Sequence, residues 1–241
     1  MLKTLVWLGI MATLTLVISL LVVRPLVAAA CPACFGFSKV ADRVYVQSNM
    51  TPASRIRAVA SLVAAEQRVG AFFGGLQHVP RALICADDGC YRRIGGGAGS
   101  GTGTLGSYAI VVSHEAIDPV LIGEALSQVE LHGRVGYWHI LTGAVPIWFD
   151  QGVAVLAADD TLYIAPQGSR SRCIAGPIPD MPVTPDDWNE SLQQEGQVMY
   201  ARAACQTDIW MESHGGSVAI TALLAKVADG QNFDTLYQQG R

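Results

Sequence analysis

No basic stripe, no long run of like charge and no internal repeat marks the 241-residue chain. Charged residues make up only 15% and the net charge is −4. Residues 1–30 hold only Lys3 and Arg24 as charges, so the remainder carries −6, with 14 basic against 20 acidic side chains. A surface of that sign does not neutralise phosphates, which excludes nucleic acid as a partner. The glycine-rich stretch Gly95–Gly106, with seven glycines, lacks the Gly-Lys-Ser/Thr ending of a phosphate loop and precedes a strand rather than a helix. It reads as a flexible loop between strands. Cys31-Pro32-Ala33-Cys34 lacks the strand-then-helix frame of a thioredoxin-like redox site, and reads as a structural disulfide or a pair of juxtamembrane thiols.

Half the chain is hydrophobic (51%), a balance that favours a buried core over disorder. The longest uncharged apolar run, Leu5–Val23, has 19 residues. At ~1.5 Å per residue it would span roughly 28 Å as a helix, close to the hydrocarbon core of a bilayer. That length favours an uncleaved anchor over a secretory h-region. Ala28-Ala29-Ala30 offers a small-residue cleavage site, and the Cys31 that follows allows a lipoprotein reading, although the expected Leu is missing three residues before it. All three readings put the domain outside the cytoplasm. The division is therefore a membrane anchor or signal segment over residues 1–30 and an extracytoplasmic domain over 31–241.

The six cysteines fit an oxidising compartment. Cys85 and Cys90 bracket the turn sequence Ala-Asp-Asp-Gly, Cys31 and Cys34 form a close pair, and Cys173 and Cys205 remain as a long-range pair. The sequence leaves the connectivity open.

Strands are expected at Val44–Val46, Ala82–Cys85 and Tyr108–Val112. Thr51-Pro52 begins a helix over 52–73, with a hydroxyl cap and proline at the first helical position. Further helices are expected over 119–135, 147–157, 197–213, 217–228 and 232–238. The proline-rich stretch 166–190 should be irregular. Strands first and helices afterwards make an α+β domain, a small N-terminal sheet packed on a helical half.

Two passages carry a likeness. Glu124-Ala125-Leu126-Ser127-Gln128-Val129-Glu130-Leu131-His132 resembles the His-Glu-Leu-Ser-His-Val-Glu-Leu-His stretch of exported, gluzincin-like metallopeptidases of the peptidase MA-like group. Val145-Pro146-Ile147-Trp148-Phe149-Asp150-Gln151-Gly152-Val153-Ala154 resembles their Pro-x-Trp-Phe-x-Glu-Gly-hydrophobic-Ala segment. The likeness covers about residues 31–240, with its specific part at 124–154. It implies a zincin-like fold, in which a His-Glu-x-x-His helix and a later Glu bind zinc and the first Glu activates water.

This chain departs from the pattern where the chemistry lies. The first ligand position holds Glu124, the general-base position Ala125, the second ligand position Gln128 and the third Gln151. Amides are weak zinc ligands, and alanine accepts no proton. No zinc cofactor and no hydrolysis by the family mechanism are expected. The old site would be a cluster in which Glu124, Gln128 and Gln151 replace a metal with hydrogen bonds. The expected function is a pseudo-peptidase, a scaffold or a module for a peptide or protein partner. A weak or rebuilt zinc metallopeptidase is the alternative.

Glu130 and His132 are relics of the pattern, and His132 shares a helical face with Glu124 and Gln128. Tyr200 matches a residue that steadies an oxyanion in some related peptidases, or it simply packs. His114-Glu115-Ala116-Ile117-Asp118 imitates a metal motif, but Asp118 precedes Pro119, which disfavours helical geometry there. His78, His139 and His214 show no partner spacing.

Overall fold

A computed structural model describes residues 24–96 and 101–239, together with Trp7. The anchor or signal reading of Leu5–Val23 falls outside the described residues except for Trp7. Among the described residues no helix is long and apolar enough to cross a membrane.

Five short strands form one sheet: β1 (Phe37–Ala41), β2 (Val44–Gln47), β3 (Arg81–Ile84), β4 (Thr102–Leu105) and β5 (Ala109–Val112), in the order β1-β2-β3-β5-β4. β2, β3 and β5 run parallel, and the two edges, β1 and β4, are antiparallel to their neighbours. The inner strands read as unbroken apolar runs because both faces are covered. Ala82, Ile84, Ile110 and Val112 face the main core, while Leu83, Ala109 and Val111 face a second, smaller one.

The helices are α1 (Pro52–Phe73), α2 (Asp88–Arg93), α3 (Pro119–Val135), α4 (Tyr137–Leu141), α5 (Ile147–Ala158), α6 (Pro185–Glu195), α7 (Val198–Ser213), α8 (Ser217–Ala228) and α9 (Phe233–Gln238). α1 starts where Thr51 accepts a hydrogen bond from the Ser54 backbone N–H at 3.2 Å. α3 starts where Asp118 accepts from Val120 N–H at 2.8 Å. Each cap satisfies a donor that the first helical turn leaves orphaned. α1 and α3 supply Leu62, Ala65, Val69, Ile122, Leu126 and Val129 to the main core.

α5 is buried on nearly every side, and its Trp148 and Phe149 lie edge-on to Phe233 and Tyr237. Gly152 lets α5 approach α7: a Cβ there would stand 2.3 Å from Thr207 Oγ1 and 2.5 Å from the Ala203 carbonyl oxygen.

The α+β expectation holds, with several changes in detail. The glycine-rich stretch is not all loop, because Thr102–Leu105 pairs with β5 as an edge strand. β1 was not expected; its outer position leaves it only partly apolar. Asp87 caps α2, which starts inside the Cys85–Cys90 segment and runs on to Arg93, accepting from Cys90 N–H at 2.7 Å, where the sequence suggested only a turn. The irregular stretch ends earlier than expected: Thr184 caps α6, and Pro185 takes its first position.

Three disulfides join Cys31 to Cys34, Cys85 to Cys90 and Cys173 to Cys205. They fit an oxidising, extracytoplasmic location. Residues 24–30, placed by sequence with the N-terminal segment, are helical and belong to the folded domain. Ala28 and Ala29 are fully buried in the second core, and Arg81 donates to the Ala29 carbonyl at 2.6 Å.

Candidate functional site

The site is built on α3 and α5, which cross with small residues at the contact. A Cβ on Gly123 would stand 3.2 Å from that of Ala158, and His132 Nε2 lies 3.0 Å from Asp150 Oδ2. These two contacts set the helices antiparallel, with residue numbers that climb on one and fall on the other.

Glu124, at the position likened to a first ligand, turns to the C-terminal end of α5. Its neighbour there is the buried Asp160. Glu124 Oε1 is buried with no hydrogen-bond partner. Burial, and then the nearby Asp160 carboxylate, push the Glu124 carboxyl up to about 8. Losing water disfavours the ionised form and a like charge adds to the effect, so Glu124 holds its proton at neutral pH. Asp160 is anchored by accepting from Leu162 N–H at 2.9 Å.

Tyr163 and Tyr200 stack beside this pair with ring centroids 5.2 Å apart, and Trp188 stands edge-on to Tyr200 at 5.3 Å. Burial pushes the Tyr163 hydroxyl up to about 12, with Glu124 and Asp160 contributing. Burial also raises Tyr200, and a contact with Trp188 partly offsets the rise. Tyr200 therefore packs in an aromatic wall while remaining next to the first ligand position.

Ala125, at the position likened to a general base, is buried in the main core. Gln128 and Gln151 are half-buried. Among the described residues neither amide hydrogen-bonds to Glu124 or to the other, so the expected replacement network is not formed. Asp160, arriving from the turn after α5, is the neighbour of Glu124 instead.

Glu130 and His132 have structural partners. Glu130 is fully buried and accepts from Gln77 N–H at 2.9 and 3.0 Å, from His78 N–H at 2.8 Å and from Arg134 Nε at 2.6 Å. It clamps the loop after α1 onto α3. His132 ties α3 to α5 through Asp150, whose Oδ1 is buried and unpartnered. His114 lies 3.4 Å from Asp88, and Asp118 is the α3 cap, so that motif does not come together as a ligand set.

Zinc takes imidazole, thiolate or carboxylate, and positions 124, 128 and 151 hold one carboxyl and two amides. Among the described residues, no three His, Cys, Asp or Glu side chains gather where they could hold a metal ion.

Asp150, Asp160, Tyr163 and Arg134 were not singled out by sequence. Only Arg134 carried a local signal, four residues beyond Glu130 on one helix face; the others come near α3 through tertiary packing alone.

The chain matches no protein-family model, no curated protein and no solved structure at a significant level.

Proposed function

We propose that this is a non-catalytic, metallopeptidase-like domain, held outside the cytoplasm by Leu5–Val23 and binding a peptide or protein partner beside α3. The observation that carries the reading is the inner stripe of α3. A buried methyl, Ala125, stands where a water-activating carboxylate belongs, and Glu124 shares its ligand position with Asp160 instead of with two further ligands. The arrangement of the elements agrees with a zincin-like ancestry: a mixed sheet, a long helix (α1) and the site helix (α3) packed on one face, and the antiparallel edge strand β4 against α3. An edge strand beside a helix is a surface on which an extended peptide can add a further strand.

The tether reading draws on residues 24–30. Cleavage after Ala30 would remove Ala28 and Ala29 from the second core and take the Ala29 carbonyl from Arg81. An uncleaved segment keeps both. The protein should stay with membranes through a carbonate wash, and N-terminal sequencing that begins at Cys31 would refute this part.

Elemental analysis tests the site. The purified protein should carry no stoichiometric zinc, whereas Glu124→His, Ala125→Glu, Gln128→His and Gln151→Glu made together should gain it if the scaffold follows the family. One equivalent of tightly held zinc in the parent, with peptide hydrolysis, would overturn the proposal in favour of a rebuilt metallopeptidase. A folded quadruple variant that gains no zinc would break the kinship argument.

A further inference from the structure

The end of the sheet against which residues 24–30 are held carries a set of exposed aromatic and aliphatic side chains. β3 begins there at Arg81, β5 at Ala109, and β4 ends there at Leu105. The helix over residues 24–30 is pinned to the same end, since Arg81 donates to the Ala29 carbonyl at 2.6 Å. The Arg81 guanidinium also lies over the Tyr108 ring, 5.3 Å from its centroid. Two residues before Tyr108, a Cβ on Gly106 would stand 3.5 Å from the Tyr137 ring.

Tyr137 opens α4, a five-residue helix with no buried residue. Trp138 is 72% exposed, Tyr137 61% and Leu141 60%, while Leu26 and Val27 of the N-terminal helix are exposed by nearly half. The contacts therefore run without a break from the N-terminal helix through Arg81, Tyr108 and Gly106 to α4. Apolar side chains this exposed and this connected mark an interaction surface rather than scattered surface residues.

We propose that this end of the domain lies on the membrane, with Tyr108, Tyr137, Trp138 and Leu141 seated at the lipid headgroup level beside the emerging Leu26 and Val27. The proposal rests on the tether reading of Leu5–Val23. Lipid is the occupant because the run ends at Val23 in the sequence and residues 24–30, directly after it, are already helical, with Ala28 and Ala29 as core residues. From Arg24 to Ala29 a helix climbs only ~7–8 Å, comparable with the headgroup layer on each side of a bilayer. Tyrosine and tryptophan favour that layer because an apolar ring and a polar edge suit its two sides. Arg24 is exposed at the junction, where it meets headgroup phosphate.

Fluorescence quenching of the full-length protein tests this in phosphatidylcholine vesicles whose acyl chains are brominated close to the headgroups. Trp7→Phe and Trp138→Phe variants isolate the two emissions by difference. Trp138 emission should be blue-shifted and mostly lost in brominated vesicles, and Trp7, two residues from the far end of the spanning run, should be quenched by the same shallow bromines in the opposite leaflet. Unquenched Trp138 emission overturns the membrane-facing surface, whatever Trp7 does. Quenched Trp138 with unquenched Trp7 supports the surface and refutes the tether.

Discussion

Replacing Glu130 by Gln should unfold this protein sooner than any conservative change on α3, although the two side chains have nearly the same shape. Oε1 faces the Gln77 N–H and Arg134 Nε, while Oε2 faces the N–H groups of Gln77 and His78. Every neighbour is a donor. Whichever way a glutamine is turned, its NH2 group therefore points at another N–H, and Arg134 keeps a charge that nothing on α3 neutralises. Glu130 is fully buried and the Arg134 side chain is 12% exposed, so solvent cannot make good the loss. Breaking one side of a buried pair costs about 3–5 kcal/mol. At about 2–4 °C per kcal/mol for a domain of this size, the melting temperature should fall by about 6–20 °C. Arg134→Met should cost less, about 1–2 kcal/mol, because Glu130 keeps its backbone donors. Circular dichroism melts of the detergent-solubilised full chain, disulfides intact, give both values. The amides of Gln77 and His78 should also exchange faster in Glu130→Gln. A Glu130→Gln melt within a degree or two of the parent, or one above Arg134→Met, would refute the clamp.

Glu124→Gln should flatten the pH dependence of stability. The folded carboxyl is raised from its ordinary 4.5 to about 8, so the folded state binds the proton more tightly and the parent loses stability as pH rises through that window, at up to ~1.4 kcal/mol per unit. A parent more stable at about pH 8 than at about pH 5.5, with the variant unchanged between them, would contradict this. Removing the Cys173–Cys205 bridge by paired alanines should cost ~3–4 kcal/mol, against ~2 kcal/mol for Cys85–Cys90, because the first closes the longer loop, 32 residues against 5 in sequence separation; equal or reversed losses in denaturant titrations would count against the loop-entropy account. Gly152→Ala should cost about 1–3 kcal/mol by overpacking, since the new methyl meets the Ala203 backbone and cannot be relieved by a side-chain rotation; an unchanged melt would mean that α5 and α7 are less tightly apposed.

The helices were legible in the chain because their signals are local. Thr51-Pro52 and Asp118-Pro119 each place a capping oxygen and a pre-set φ at the first turn, and the apolar residues that follow recur at helical spacing. The α+β arrangement followed from the order of strands and helices, and export from an even set of cysteines behind a long apolar run. Short strands are harder to read: β4, a Thr-Gly-Thr-Leu segment among glycines, is a strand only because β5 lies beside it. The site divides in the same way. The residue types at positions 124, 125, 128 and 151, without an imidazole among them, are written in the sequence. What surrounds them is not, because partners brought from distant segments leave no periodic trace near the residues they meet. Only the tertiary structure placed Asp160 against Glu124, turned Glu130 into a clamp for a loop about 50 residues away, matched His132 to Asp150 and docked residues 24–30 in the second core.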